Sequence, residues 1–288
     1  MSDDFTYYDL LRGVKSNDIG LIFNGWHGED ERVVILSPHD DDALLGAGYL
    51  ILAVMKAGGE PYIVVYCDGR GGYSSLDLKD RIVSIRRYES LNAYRRLGVK
   101  EENIVHLDYP DFSLRSYIGW VLPNGLEGLT FKTIKLLRRI KPTRLLVPNE
   151  YREHMDHEAL SYIGSYDGPQ IGDPVMVDLG PPFKVKSYLK YCVWGDFSPE
   201  DAFLTSRSLS LRGNVAVKVK KGVEEEVIRA LEEFKSQKEI IKNILERRKD
   251  RLLDEHYIEV YQKFNPRPEI NYQPYRKKIA EIDKWLKD

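Results

Sequence analysis

Short β-branched runs alternating with amphipathic stretches, a polar cluster directly after the first run, and Pro or Gly stops behind the elements predict an α/β protein. The expected architecture is a Rossmann-like open, mostly parallel sheet with helices on both faces and a C-terminal helical extension. Val33-Val34-Ile35-Leu36 reads as the first strand, and the helical pattern from Ala43 to about Lys56 completes a βα unit. Tyr62 to Cys67 is the next buried strand, followed by glycines at 69, 71 and 72 and a periodic helix from about Lys79 to Leu97 that Gly98 stops. Asn103 to Leu107 gives a third strand. Thr130 to Ile140 gives a helix ended by Lys141-Pro142, and Arg144 to Val147 a fourth strand closed by Pro148. Gly164 to Pro182 reads as a long irregular loop of the kind that borders active sites, and a further strand is expected at Val185 to Trp194. Gly222 to about Arg251 reads as one long charged amphipathic helix and Tyr275 to Leu286 as a second. The chain therefore divides on paper into a Rossmann-like domain over 1–220, holding the functional residues, and a helical extension over 221–288 that packs on the same domain or on a neighbouring subunit.

Composition narrows the function classes. The 288 residues carry 43 Lys plus Arg against 45 Asp plus Glu, a net charge of −2 that argues against nucleic acid as a partner. No apolar run approaches the ~20 residues that cross a bilayer, so no membrane partner is expected. Met1 to Leu11, with Asp3, Asp4 and Asp9, does not read as a signal segment. Cys67 and Cys192 are the only cysteines, too few for a disulfide framework, which fits the cytoplasm. Only four Gln stand amid abundant Glu, Lys, Arg and Tyr, a bias of proteins from hot habitats.

The chemistry concentrates in two turns. Ser37-Pro38-His39-Asp40-Asp41-Asp42 places one imidazole and three carboxylates at the carboxyl end of the first strand, where ligands bind in open α/β sheets. Helix capping explains one of these Asp residues but not His39 together with three, and a bound cation would relieve their mutual repulsion. His154-Met155-Asp156-His157 follows the fourth strand, with His154 and His157 spaced to share a helical face. If the strand order reverses between the first and fourth strands, as in the order 3-2-1-4-5, the two turns face each other across the switch-point crevice and can share a divalent metal. Two His and one Asp make the three-ligand set of a catalytic zinc site, which leaves one position for water.

Pro38-His39-x-Asp41-Asp42 together with His154-x-Asp156-His157 resembles the PIG-L / LmbE-like family of zinc-dependent N-acetylglucosaminyl deacetylases. Supporting matches run from about Arg32 to Gln237 and include Gly46-Ala-Gly48, Arg86-x-x-Glu89, Arg96-Leu97-Gly98-Val99 and Pro110-Asp111. The resemblance implies that His39, Asp42 and His157 bind one zinc per chain, that Asp41 is the general base, and that His154 assists at the oxyanion or the leaving amine. Other divalent metals can substitute where affinity alone decides. Asp156 is expected to orient one imidazole. Arg86 reads either as a substrate contact or as an ordinary helix pair with Glu89, and Asp111 either as an acceptor for sugar hydroxyls or as turn chemistry. Gln237 echoes a family motif, though its plain reading is a solvated helix face, and Cys67 reads as core. His27, His106 and His256 lack acidic clusters and are given no role. Two positions depart from the family pattern: Asp40 stands where Pro is usual, and Tyr49 where a second Gly is common.

The function expected is therefore zinc-dependent hydrolytic deacetylation of a soluble N-acetylglucosamine-containing substrate, releasing acetate and a free amino sugar. A metal-dependent phosphoesterase and a non-catalytic sugar-binding protein are the rival readings. Late tyrosines at 257, 261, 272 and 275 suit an interface. The likeness to archaeal diacetylchitobiose deacetylases implies a homo-oligomer, a trimer or a hexamer.

Overall fold

The computed structural model describes residues 4–198 and 211–285. The chain opens with two strands that the sequence reading did not foresee, β1 (Phe5–Asp9) and β2 (Val14–Ser16). Four βα steps and a fifth strand follow. They are β3 (Arg32–Ser37) into α1 (Asp42–Lys56), β4 (Glu60–Cys67) into α2 (Ile82–Arg96), β5 (Ile104–Tyr109) into α3 (Leu129–Ile140), β6 (Arg144–Pro148) into α4 (Met155–Gln170), and then β7 (Ser187–Tyr191). The C-terminal part contributes β8 (Val215–Lys220), α5 (Lys221–Leu231), α6 (Lys238–Arg248), β9 (Leu252–Leu253), β10 (His256–Phe264) and α7 (Gln273–Trp285).

Strands β5, β4, β3, β6 and β7 are neighbours in that order and all run parallel. The order is 3-2-1-4-5, so the direction of winding reverses between β3 and β6 and opens a crevice at their carboxyl ends. Alternate residues of β3 feed opposite cores. Val33 and Ile35 pack with apolar residues of α1, α2, α5 and α6 on one face, while Val34 and Leu36 pack with those of α3 and α4 on the other. Burial on both faces is why this strand reads as a continuous apolar run.

The other half of the sheet corrects the expectation of a mostly parallel one. Beyond β7 the order continues β10, β8, β1, β2, and every one of these pairings is antiparallel, so the sheet as a whole is mixed. The segment expected to be only helical thus places β10 between β7 and β8. Nor is 222–251 one helix, because α5 and α6 are separated by a short turn in which Phe234 and Gln237 are buried. The last expected helix appears as α7, with no buried residue, and Leu286 lies outside the described residues.

The loop expected at Gly164 to Pro182 begins later, since α4 continues to Gln170. Gly164 is a close-packing residue: a Cβ there would meet Cγ1 of Val147 at 2.2 Å, so its absence lets α4 lie against β6. Helix α4 starts at the carboxyl ends of the strands and runs back along the sheet. Its loop consequently sits at the amino end of β7, away from the crevice, where Arg138 donates to the carbonyls of Ile171, Asp173, Val175, Met176 and Gly180.

Helix α1 carries the first motif and is broken at Ala47 (φ −140°, ψ 21°). A regular helix would join the Tyr49 N–H to the Leu45 carbonyl. Here Tyr49 donates to Glu259 Oε2 (3.0 Å), and Leu45 accepts from Arg251 (2.8 Å) and Arg248 (3.3 Å). The C-terminal part therefore supplies both partners that the break removes. Tyr49 also bonds Glu224 Oε2 through its hydroxyl (2.6 Å), with the Arg248 guanidinium 5.4 Å from its ring centre. Replacing Glu259 by Ala would leave the buried Tyr49 amide unpaired and remove the partner of Arg251. We expect Glu259→Ala to cost about 3–5 kcal/mol in denaturant unfolding, the scale for breaking one side of a buried charge network. An unchanged midpoint would show that the break in α1 is self-supporting.

Candidate active site

The first motif is a tight turn held at both ends. Ser37 Oγ accepts from Ala43 N (3.0 Å) and donates to the His39 carbonyl (2.5 Å), while Cys67 N donates to the Pro38 carbonyl (2.9 Å) and ties the turn to β4. Asp42 begins α1, and its Oδ2 accepts from His39 N (2.9 Å) and lies 2.9 Å from His39 Nδ1. The second motif arrives from β6 across the crevice and brings His157 Nε2 to 3.0 Å from the same oxygen. The structure thus brings His39, Asp42 and His157 together, with ligand atoms within 4.8 Å of one another.

The donor chemistry fits a cation. His157 Nδ1 lies 2.6 Å from Glu153 Oε2, which favours a proton on Nδ1 and makes Nε2 the nitrogen that would meet an ion. That Nε2 is buried and faces the Asp42 carboxylate without a well-formed hydrogen bond. Although burial opposes the charged form, the Asp42 and Glu153 carboxylates hold the His157 pKa up to about 9, and Asp42 and Asp156 likewise hold His39 well above the ordinary value. Burial alone would raise Asp42, yet the two imidazoles keep it well below the usual carboxylate range. The field that favours protons on these rings equally favours a divalent ion between them.

Glu153 was not foreseen. Its Oε1 accepts from Val193 N (2.9 Å) and Gly195 N (3.3 Å), so it joins the loop after β7 to His157. The signal available in the sequence was an acid four residues before a histidine, which is common on solvated surfaces.

The remaining acids are engaged in different ways. Asp40 is forked by Arg86, with Nε 2.7 Å from Oδ2 and a second bond from Nη2 to Oδ1. Arg86 is therefore neither the helix partner of Glu89 nor an open substrate contact. It is buried, its Nη2 lies 3.6 Å from Asp41 Oδ2, and Glu89 instead accepts from Ser236. Glycines 69 and 72 roof the guanidinium: a Cβ on Gly72 would meet Arg86 Nη1 at 2.8 Å. Gln237 closes that roof by donating to the Gly72 carbonyl, so it is buried and not a solvated face. Asp41 is buried beside Asp40 and Asp42. Desolvation and those two neighbouring charges push its pKa up to about 6 against the pull of Arg86 and His39.

His154 stands just before α4 as its N-cap, with extended backbone, so it does not share a helical face with His157. The two ring centres are nevertheless 6.0 Å apart. Its Nδ1 accepts from Asp156 N (3.2 Å), and burial and the charge on His39 lower its pKa. His154 is accordingly a neutral imidazole carrying its proton on Nε2. Asp156 faces His39 Nε2 at 3.4 Å but is anchored chiefly by Phe112 N (2.6 Å) and Leu114 N (3.0 Å). Asp111 accepts from Gly69 N (2.9 Å) and Gly71 N (2.7 Å), so it first of all shapes the glycine loop. Cys67 forms a second potential set with His39 and Asp156. Burial and the Asp156 and Asp111 carboxylates push its thiol pKa far up, which keeps it protonated where no ion is bound. His106 meets Ser90 Oγ at 3.3 Å, away from the metal set.

Residues 34–165, which contain both motifs, match the family described as PIG-L: GlcNAc-PI de-N-acetylase. Diacetylchitobiose deacetylase of Thermococcus kodakarensis is 23% identical over 166 residues, 56% of this chain and 58% of that protein. The chain therefore aligns with little more than half the length of this curated relative. Among solved structures, N,N'-diacetylchitobiose deacetylase of Pyrococcus horikoshii has a TM-score of 0.60 at 19% identity, covering 82% of this chain and 84% of its own. The 4-carboxy-2-hydroxymuconate hydratase GalB of Pseudomonas putida KT2440 has a TM-score of 0.59 at 16% identity, covering 84% and 99%. These two likenesses establish the fold, and the fold also serves a hydratase, so the chemistry has to be argued from the residues in the crevice. The stretch that carries both motifs, residues 34–165, thus matches the PIG-L family, and the chain shows homology to diacetylchitobiose deacetylase.

Proposed function

We propose that this protein hydrolyses the acetamide of a small, soluble N-acetylglucosamine derivative, releasing acetate and a free amine, with one zinc per chain. The observation that carries the reading is the meeting of His39, Asp42 and His157 from two separate turns, beside the further carboxylate of Asp41. His39, Asp42 and His157 would hold the ion, with Glu153 fixing the tautomer of His157. Zinc bound there would acidify water at the site and polarise the acetyl carbonyl.

Asp41 is the base. Its carboxylate is buried and adjoins the ligand Asp42, and it takes one proton from the attacking water. The new C–O bond forms at the acetyl carbon while the carbonyl oxygen gains charge, and the Nε2–H of neutral His154 supports that oxygen. When the C–N bond breaks, the proton held by Asp41 passes to the nitrogen and the second water proton stays on the new oxygen, so water and amide become acetic acid and amine, which ionise in water to acetate and ammonium. Arg86 steadies Asp40 and stands near Asp41 without entering the reaction. Asp111 keeps lone pairs beyond its two amide bonds for a sugar hydroxyl. No helix among the described residues is long and apolar enough to cross a membrane, which suits a substrate free in water. We further propose a homo-oligomer, a trimer or a hexamer, as the working form.

Asp41→Asn should keep the metal and lose about 10²-fold or more in acetate release, the scale of a general base. Turnover at the normal rate would remove Asp41 from the mechanism. Acetate release should be seen within a panel of soluble N-acetylated mono- and disaccharides and should vanish in metal-stripped protein. Silence across the panel, with metal-dependent phosphate release from phosphoesters, would replace the deacetylase reading. Glu153→Ala should weaken zinc about 10- to 100-fold in competition with a chromophoric chelator, the range for partners of ligating imidazoles. Unchanged affinity would show that Glu153 only anchors the loop after β7.

A further inference from the structure

Beside the acids and imidazoles stands an aromatic side chain that the chemistry above does not use. Phe112, on the loop after β5, has φ 61°, a left-handed conformation that is a genuine outlier for a bulky residue and that glycine adopts freely. It is nevertheless 59% exposed, so burial of the ring does not explain its presence. The backbone is held there by the bond from Phe112 N to Asp156 Oδ2 (2.6 Å), and the neighbouring Leu114 N holds the other oxygen. The ring leans edgewise on His154, with centres 4.6 Å apart. The glycine loop makes room on another side, since a Cβ on Gly71 would meet Cε2 of Phe112 at 2.7 Å. Three elements thus converge to present one exposed aromatic surface at the mouth of the metal site. Strain kept at such a place points to a ligand.

Resting on the deacetylase reading, we propose that Phe112 is the platform on which the apolar C–H face of the N-acetylhexosamine ring lies. Aromatic rings and pyranose faces associate by burying apolar surface, and the polar rim of the sugar stays free for groups such as Asp111. Contact of the ring with His154 sets the distance between the bound sugar and the imidazole that meets the acetyl oxygen. The platform selects for hexosamines that present an uninterrupted C–H face and contributes to binding more than to the chemical step.

The test compares full-length, zinc-loaded wild type with Phe112→Gly and Phe112→Trp, using N-acetylglucosamine and diacetylchitobiose as probes. Phe112→Gly relieves the backbone, so its melting temperature should equal or exceed that of wild type with zinc content unchanged. Its KM should rise roughly tenfold or more, the effect of one lost aromatic contact, with kcat altered less. Phe112→Trp should recover most of the KM. An unchanged KM in Phe112→Gly would overturn the proposal, and so would a fall in zinc content or melting temperature that drags kcat and KM together, since that marks a structural role. Wild type that releases no acetate from either probe would dispose of the deacetylase reading, and of the platform with it, before any variant is compared.

Discussion

Buried negative charge is the constraint that organises this molecule. Asp40, Asp41, Asp42, Glu153 and Asp156 converge where the parallel strands end, and burying a carboxylate without a partner is costly. Three of them are met by different devices. Arg86 neutralises Asp40, the Val193 and Gly195 amides with His157 engage Glu153, and the Phe112 and Leu114 amides engage Asp156. Asp42 is left facing two imidazoles, and Asp41 has only a distant share of Arg86. The loops that follow β4, β5, β6 and β7 are therefore pinned by the charges they surround, and the two carboxylates still to be satisfied are those assigned to the metal and to the proton.

The fold supplies this arrangement through its topology and through its C-terminal part. Reversal of winding between β3 and β6 is what brings two turns distant in sequence to face each other. Helix α1, with Asp42 at its first residue, is interrupted one turn later, and Glu259, Arg248 and Arg251 satisfy the groups exposed by the interruption. Both departures from the family pattern acquire a physical account here. Asp40 is tolerated because Arg86 forks it, and Tyr49 fits because Glu224 and Arg248 receive its hydroxyl and its ring.

The parallel half was legible because strands buried on both faces must be continuously apolar, and the two turns that meet in the crevice were legible because their residues are adjacent in sequence. The antiparallel half was hidden. β10 buries Glu259 and Gln262, so its alternation is disguised by polar residues, and Glu259 is satisfied by Tyr49 and Arg251 from elsewhere in the chain together with Tyr261 on the same strand. Glu153 and Phe112 were hidden for a related reason: their importance lies in contacts with loops far away in sequence, which no local spacing records. Arg86 was placed in the right neighbourhood but read either as a substrate contact or as the helix partner of Glu89, and only the fold shows the glycine loop and Gln237 enclosing it.

The central claim is that the two imidazoles and one carboxylate gathered at Asp42, and not the neighbouring thiol, form the metal site. X-ray absorption at the zinc edge, on protein carrying one equivalent, tests it most directly. The account predicts a shell of nitrogen and oxygen alone at about 2.0–2.2 Å with imidazole scattering from two histidines, diminished in His157→Ala. A sulfur at about 2.3 Å, or an unaltered spectrum and full zinc content in both His39→Ala and His157→Ala, would contradict it.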